Sequence, residues 1–253
     1  MNNRLKILNI WIDPVDKKEA IKKVKKFLKT GERLHSIIAS NPEKNFSVPK
    51  DAVLYEAFKN ADLLLPDGMG MVLAARILYG ANLRRVPGAE FIFDICNIAA
   101  EGSYKVFIYG ATEDVNKKAV NELEKRYPDL KIVGRANGYI KESEMQDLID
   151  RINASKAEIL FLALGSPKQE KWCATHKNQL HHVKVVQGVG GTLDTIAGNV
   201  KRAPRVWCKF QLEWLYRLIM EPKRIKRQKV LPVFAAMTLI TKLKMMMETG
   251  RKI

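Results

Sequence analysis

A repeated switch in hydrophobic period constrains this chain more than any other feature. Apolar, β-rich runs at 5–12, 34–39, 62–65, 105–109, 130–133, 158–164 and 184–187 alternate with stretches of helical period at 16–29, 51–60, 69–79, 89–100, 113–127 and 142–153. Asp16, with Glu19 three residues on, reads as the N-cap of the first helix. Such alternation requires an α/β fold of Rossmann-like type, a mostly parallel sheet with helices on both faces. Right-handed crossovers then bring the strand ends to one edge, where ligands of open α/β sheets sit. Asn41, Asp67, Gly110, Gly165 and Gly188 are the residues expected at that edge.

The 253 residues suffice for one sizeable core with an appendage. Charge marks the boundary. The formal net charge is +17, and residues 201–253 hold fourteen Lys and Arg against three Asp and Glu, a net of +11. We therefore divide the chain into an α/β catalytic core, 1–203, and a basic, amphipathic helical appendage, 204–253. A tail of this kind expects a polyanion: an anionic membrane, a nucleic acid or a phosphorylated substrate. Trp207, Phe210, Trp214 and Leu218 form a helical apolar stripe that Pro222 breaks, and five of the seven residues 223–229 are basic. From Phe234 on, Met237, Ile240, Leu243 and Met247 recur at helical spacing, a pattern of membrane-surface helices. No apolar run is expected to approach the roughly 20 residues that span a bilayer; 230–241 is too short and contains Pro232. No leader segment is expected. Cys96, Cys173 and Cys208 are too widely spaced for a metal site and suit a reducing compartment.

The most informative segment is 157–172. Apolar residues Ile159–Leu164 stop at Gly165, and Ser166-Pro167 leads into Lys168, Gln169 and Glu170 at a helix start. A strand, tight turn and helix N-terminus of this kind form a ready anion site. Pro66-Asp67-Gly68 is by composition a turn, but it follows a buried strand, and a carboxylate there is placed to act as general base. Gly188-Val189-Gly190-Gly191, with Asp194 beyond it, resembles a phosphate-cradling turn. It lacks the P-loop lysine and the GxGxxG spacing, which counts against a nicotinamide-dependent enzyme. No Asp-x-Asp pair occurs, so helix N-termini and cations such as Arg85 and Lys168 would have to hold a diphosphate. The four histidines are poor metal candidates, with His181-His182 expected at the surface. The tail aromatics sit at packing spacing and no nucleic-acid motif occurs, so no nucleic-acid partner is expected.

Read in order, Ser40-Asn41-Pro42-Glu43, Pro66-Asp67-Gly68, Arg85-Val86-Pro87-Gly88, Gly110-Ala111, Gly165 to Glu170, Gly188 to Gly191, Arg202-Ala203-Pro204 and Leu212 to Arg217 resemble the pattern of the WecG/TagA/CpsF glycosyltransferases. The resemblance runs from the first strand to about Arg227. It implies an inverting transferase with no metal and no cofactor. Such an enzyme moves a sugar from a UDP donor to a polyprenyl-diphosphate-linked sugar at the cytoplasmic face of the membrane, as a peripheral protein that self-associates. TagA-like members transfer N-acetylmannosamine in teichoic acid synthesis; others transfer its uronic acid or act in capsule synthesis. Carried over, Asp67 is the general base, Asn41 positions the sugar, and Arg85 and Gln169 contact sugar or diphosphate. Gly110, Gly165, Pro167, Lys168, Gln169, Glu170, Gly188, Gly190, Gly191 and Asp194 hold the UDP-sugar. Arg217, Arg224 and Arg227 of the appendage meet the diphosphate and the membrane. One position departs from the pattern: Ala39 stands where TagA-like sequences have threonine, which leaves the donor sugar open.

Overall fold

A computed structural model describes residues 3–31, 33–200, 207, 215–216 and 229–250. Its centre is a six-stranded sheet in the order β4-β3-β8-β7-β5-β6, every neighbouring pair parallel. The strands are β3 (His35–Ser40), β4 (Leu63–Pro66), β5 (Lys105–Gly110), β6 (Lys131–Ala136), β7 (Ile159–Ala163) and β8 (Val185–Gly188). Helices cover both faces, as the alternating pattern requires.

The pleat divides each strand between two cores. Ile37, Leu63, Leu65, Val106, Ile108, Ile159, Phe161 and Val185 face one layer, with α1 (Lys17–Thr30), α5 (Gly88–Gly102) and α6 (Glu113–Arg126). Their strand neighbours face the other. There Phe107, Tyr109, Leu160, Leu162 and Val186 meet α7 (Met145–Ala154) and α8 (Lys168–His176), while Ile38 and Leu64 meet α3 (Ala52–Lys59) and α4 (Met69–Tyr79). Period-two alternation is the reason a single run of residues can bury on both sides. The capping box of α1 forms as the sequence predicts, Asp16 accepting from the Glu19 amide and Glu19 from the Asp16 amide.

The first apolar run departs from expectation. Residues 5–12 are not one strand of the main sheet but a separate antiparallel hairpin, β1 (Leu5–Ile7) and β2 (Ile10–Ile12). Leu8 turns the chain back at a φ of 56°. The hairpin buries Ile7, Ile10 and Ile12 beside α3 and α4. Asp13 then ties it to the sheet, its Oδ2 accepting from the Leu64 amide at 2.8 Å and its Oδ1 from Arg4 Nε at 3.0 Å.

The tail corrects a second expectation. Helix α10 (Val230–Gly250) runs 21 residues, and its stretch from Val230 to Glu248 is long and apolar enough to cross a membrane by length and composition. Pro232 does not interrupt it, because a first-turn proline lacks only an N–H that has no intrahelical partner there. Lys242 and Lys244 fall inside that stretch and end neither it nor the helix. Phe234 and Thr238 are buried with α4, and Lys242 Nζ donates to Leu78 O. Leu239, Ile240, Leu243, Met246 and Met247 on the same helix are more than half exposed. The helical stripe expected at 207–220 and the basic run at 223–229 lie mostly outside the described residues; of the stripe, Trp207 meets the ring of Tyr216 at 5.7 Å.

Asn116 shows how the carboxyl edge is held. It is fully buried on α6, and its Nδ2 donates to Gly110 O at 2.9 Å and Ala136 O at 3.0 Å, joining the ends of β5 and β6. Replacing it with leucine leaves both carbonyls without this donor. We expect Asn116→Leu to lose about 2 kcal/mol, seen as a fall of about 4–8 °C in the thermal midpoint; an unchanged midpoint would deny the side chain this role.

Candidate active site

Parallel strands deliver their carboxyl ends to one edge, and a cleft of about 850 Å³ opens there. Asn41 and Lys44 after β3, Asp67 after β4, Gly165 to Pro167 with Gln169 and Glu170 after β7, and Gly188 to Thr192 with Asp194 at the end of β8 line it. Ala39, Gly88 and Val230, the first residue of α10, complete the wall. The helix N-termini of α5 and α8 meet the same edge, directing N–H groups and a positive dipole end toward it.

Close steric fits set the Asp67 corner. Asp67 is half-buried and its amide donates to Ser40 O at 3.0 Å. Its Oδ1 lies 3.6 Å from Arg85 Nη2. The ring of Pro42 packs onto the start of α4, where a Cβ on Gly68 or Gly70 would approach it to 2.7 Å. A Cβ on Gly88 would come within 2.7 Å of Ala39 Cβ and 3.8 Å of Asp67 Oδ2. Glycine at these positions lets the β3 loop, the start of α4 and the start of α5 converge around one carboxylate. Asp67 and Arg85 also border an adjoining cavity of about 380 Å³ lined by Glu90, Phe93, Arg126 and Thr195.

Gln169 closes the opposite wall. It is buried, its Oε1 accepts from the Gly190 amide at 3.0 Å, and its Nε2 occupies the space a Cβ on Gly188 would need. The side chain therefore shapes the glycine turn, which Gly190 makes at a φ of 54°. Asn41 turns its Oδ1 back to the Lys44 amide at 3.3 Å, steadying the loop after β3.

Not every residue singled out from the sequence reaches the cleft. Lys168 is exposed at the start of α8 and is not in the lining. Gly110 is buried between strands, where a Cβ would strike the Ala163 backbone at 2.4 Å; it serves the β5–β7 packing and does not line the cleft. Arg217, Arg224 and Arg227 lie outside the described residues. The structure instead adds Lys44, which is buried and paired with Glu170, and Gln187, whose Nε2 holds the start of α5 through Gly88 O at 2.9 Å. Lys44 directly follows the Ser40-Asn41-Pro42-Glu43 motif, but lysine in a polar stretch reads as solvated. Ser40 does not stand in for the threonine missing at position 39. It is fully buried, and its hydroxyl donates to Trp11 O at 2.9 Å, while Ala39 borders the cleft. His181 and His182 are exposed.

We expect Gly68→Ala to force Pro42 off the start of α4, at a cost of about 1–3 kcal/mol typical of overpacking. Thermal unfolding measures it, and a wild-type midpoint would show that the two segments can separate freely.

The sequence model of the glycosyl transferase WecG/TagA/CpsF family matches residues 5–247. The chain is 38% identical over 199 residues to an N-acetylglucosaminyldiphosphoundecaprenol N-acetyl-beta-D-mannosaminyltransferase of Staphylococcus aureus (strain MRSA252), covering 78% of this chain and 77% of that protein. It is 33% identical over 205 residues to the Bacillus subtilis (strain 168) protein of the same name, covering 81% and 79%.

Proposed function

We propose, from the premise that the chain belongs to the WecG/TagA/CpsF glycosyltransferase family, that this glycosyltransferase moves N-acetylmannosamine from a UDP donor to a polyprenyl-diphosphate-linked N-acetylglucosamine. The names of the relatives supply the transferred sugar and the acceptor. The reading of the chemistry rests on one observation: Asp67 stands at the carboxyl edge of the sheet, bordering both the large cleft and the smaller cavity beside it.

The donor lies in the large cleft, with its diphosphate toward the glycine turn at 188–191 and the N-terminus of α8. The acceptor hydroxyl reaches Asp67 from the adjoining cavity. That hydroxyl attacks the anomeric carbon from the face opposite the diphosphate; the new C–O bond forms as the bond to UDP breaks, and the configuration inverts. The hydroxyl proton passes to the Asp67 carboxylate, and UDP leaves as the anion. Arg85, 3.6 Å from Asp67, orients that carboxylate and lends positive charge to the reacting centre. The absence of an Asp-x-Asp pair supports a reaction that needs no divalent metal, with helix N-termini meeting the diphosphate instead; the family resemblance assigns the appendage arginines Arg217, Arg224 and Arg227 to the same task. Ala39 replaces a hydroxyl with a methyl on the cleft wall, so a different N-acetylated or uronic sugar is the competing donor.

We read 204–253 as an appendage to the core 1–203, and α10 as its membrane-facing element. Its exposed side carries Leu239, Ile240, Leu243, Met246 and Met247 while its other side packs on α4. A helix anchored along one side and apolar on the other suits the surface of a bilayer. Lys244 and the basic residues at 223–229 add attraction to anionic lipid of about 1 kcal/mol per residue. On this reading the enzyme is peripheral on the cytoplasmic face, where the acceptor headgroup would be met; self-association in solution belongs to the same reading.

Two measurements test it. UDP release with a panel of UDP-sugars and a short-chain N-acetylglucosamine-diphospholipid should depend on acceptor, favour one donor and survive EDTA. Asp67→Asn should reduce it by at least about a hundredfold while UDP still binds; wild-type turnover by this variant would remove the general base. Leu243→Glu with Met247→Glu should release the folded protein from anionic vesicles in a flotation assay, and retention would rule out this face as the attachment.

A further inference from the structure

Lys44 and Glu170 form an ion pair in the wall of the cleft that the reaction described above does not use. Lys44 opens the short helix after β3, and its side chain is 8% exposed; that of Glu170, in the first turn of α8, is 4% exposed. Lys44 Nζ lies 2.7 Å from Glu170 Oε1 and also donates to Ser166 Oγ, with the ring of Phe58 5.4 Å away. The pair bolts the loop after β3 to the loop after β7. Gln169, next in the chain to Glu170, then holds the loop after β8 through the Gly190 amide.

The carboxylate is only half used. Glu170 Oε1 meets Lys44, whereas Oε2 is buried without a hydrogen-bond partner among the described residues. A buried carboxylate oxygen left without a donor is costly, and a fold tolerates one where a ligand completes it. Glu170 lines the polar cleft and also borders an apolar cavity of about 440 Å³ between α3 and α8. The lining of that cavity is mostly apolar and includes Leu162, Cys173 and Val186, whereas the cleft is the larger space and lies at the carboxyl edge of the sheet, so we take the cleft as the side from which a polar donor arrives.

We propose that Lys44 and Glu170 are a substrate-reading pair. Lys44, a positioning residue, fixes the carboxylate through Oε1, and Glu170 Oε2 accepts a hydrogen bond from an uncharged donor group, a hydroxyl or an amide N–H, of the sugar nucleotide. The inference rests on the sugar-nucleotide reading of the cleft and adds to it a polar reader set apart from Asp67. It also gives Lys44, and not the exposed Lys168, the structural work of the cation in this wall.

The test is calorimetric binding of UDP, UDP-glucose and UDP-N-acetylglucosamine to the full-length protein and to Glu170→Gln, which keeps the shape of the side chain but not its charge. Loss of a hydrogen bond to a charged group predicts affinity about 10- to 100-fold weaker for at least one ligand; because the change also breaks the buried pair with Lys44, the thermal midpoint falls as well, and binding is measured well below it. Equal loss for all three puts the donor group on the nucleotide; loss only for the sugar nucleotides puts it on the sugar. Lys44→Met should lower affinity for the same ligands, and the double variant should bind no worse than Glu170→Gln alone, because both changes remove one interaction. Additive losses would deny Lys44 the positioning role and leave it a structural one. Wild-type affinity of Glu170→Gln for every ligand would overturn the inference while leaving the transferase reading intact. A wild-type protein that binds none of the three would overturn both.

Discussion

Burial of the parallel sheet on both faces is the constraint on which the rest of this structure depends. Strands such as Ile159–Ala163 and Leu63–Pro66 are covered above and below, so no polar side chain can be placed along them without losing its water. Chemistry is confined to the points where strands end. Because all six strands run the same way, those points share one edge, and Asn41, Asp67, Gln169 and Gly188 arrive there from separate parts of the chain.

Convergence at an edge does not by itself make a cleft. Steric fits and a few buried polar links bring the loops to working distance. Pro42 can lie on the start of α4 only because Gly68 and Gly70 carry no side chain, and Gly88 gives Ala39 the same access to α5. Gln187 holds α5 through Gly88 O, Gln169 holds the turn at Gly190, and Lys44 holds Glu170. Each link joins a strand end to a neighbour distant in sequence, so the cleft inherits the rigidity of the core. The Asp67 carboxylate is thereby held beside Arg85, the kind of preorganisation that the proposed chemistry would require.

The helices and strands of the core were legible in the residues. Periodicity placed α4 and the capping box of α1, and the apolar run before Gly165 placed β7. The first run was not, because a hairpin and a strand of eight residues share the same apolar content; the left-handed Leu8 separates them and nothing in its chemistry announces that. The length of helix α10 is not legible from its uncharged run 230–241, because Pro232 sits in a first turn where it does not stop a helix and the helix continues past Lys242 and Lys244. At the site, the motifs led to Asp67, Gln169 and the glycine turns. They also led to Gly110 and Lys168, which the cleft does not include: one glycine serves strand packing, and one lysine points to solvent from the helix whose next two residues are buried.

What the residues determined alone was the class of fold, the edge at which the strand ends gather, and the membership of a glycosyltransferase family, since all three follow from local pattern and order along the chain. Which polar side chains face that edge was decided only by tertiary structure. Lys44 and Glu170 stand 126 positions apart, Ser40 turns its hydroxyl to Trp11 while Ala39 borders the cleft, and one side of α10 packs on α4 while the other is exposed. Orientation and pairing of this kind depend on what packs against each residue from elsewhere in the chain, and local sequence carries no record of it.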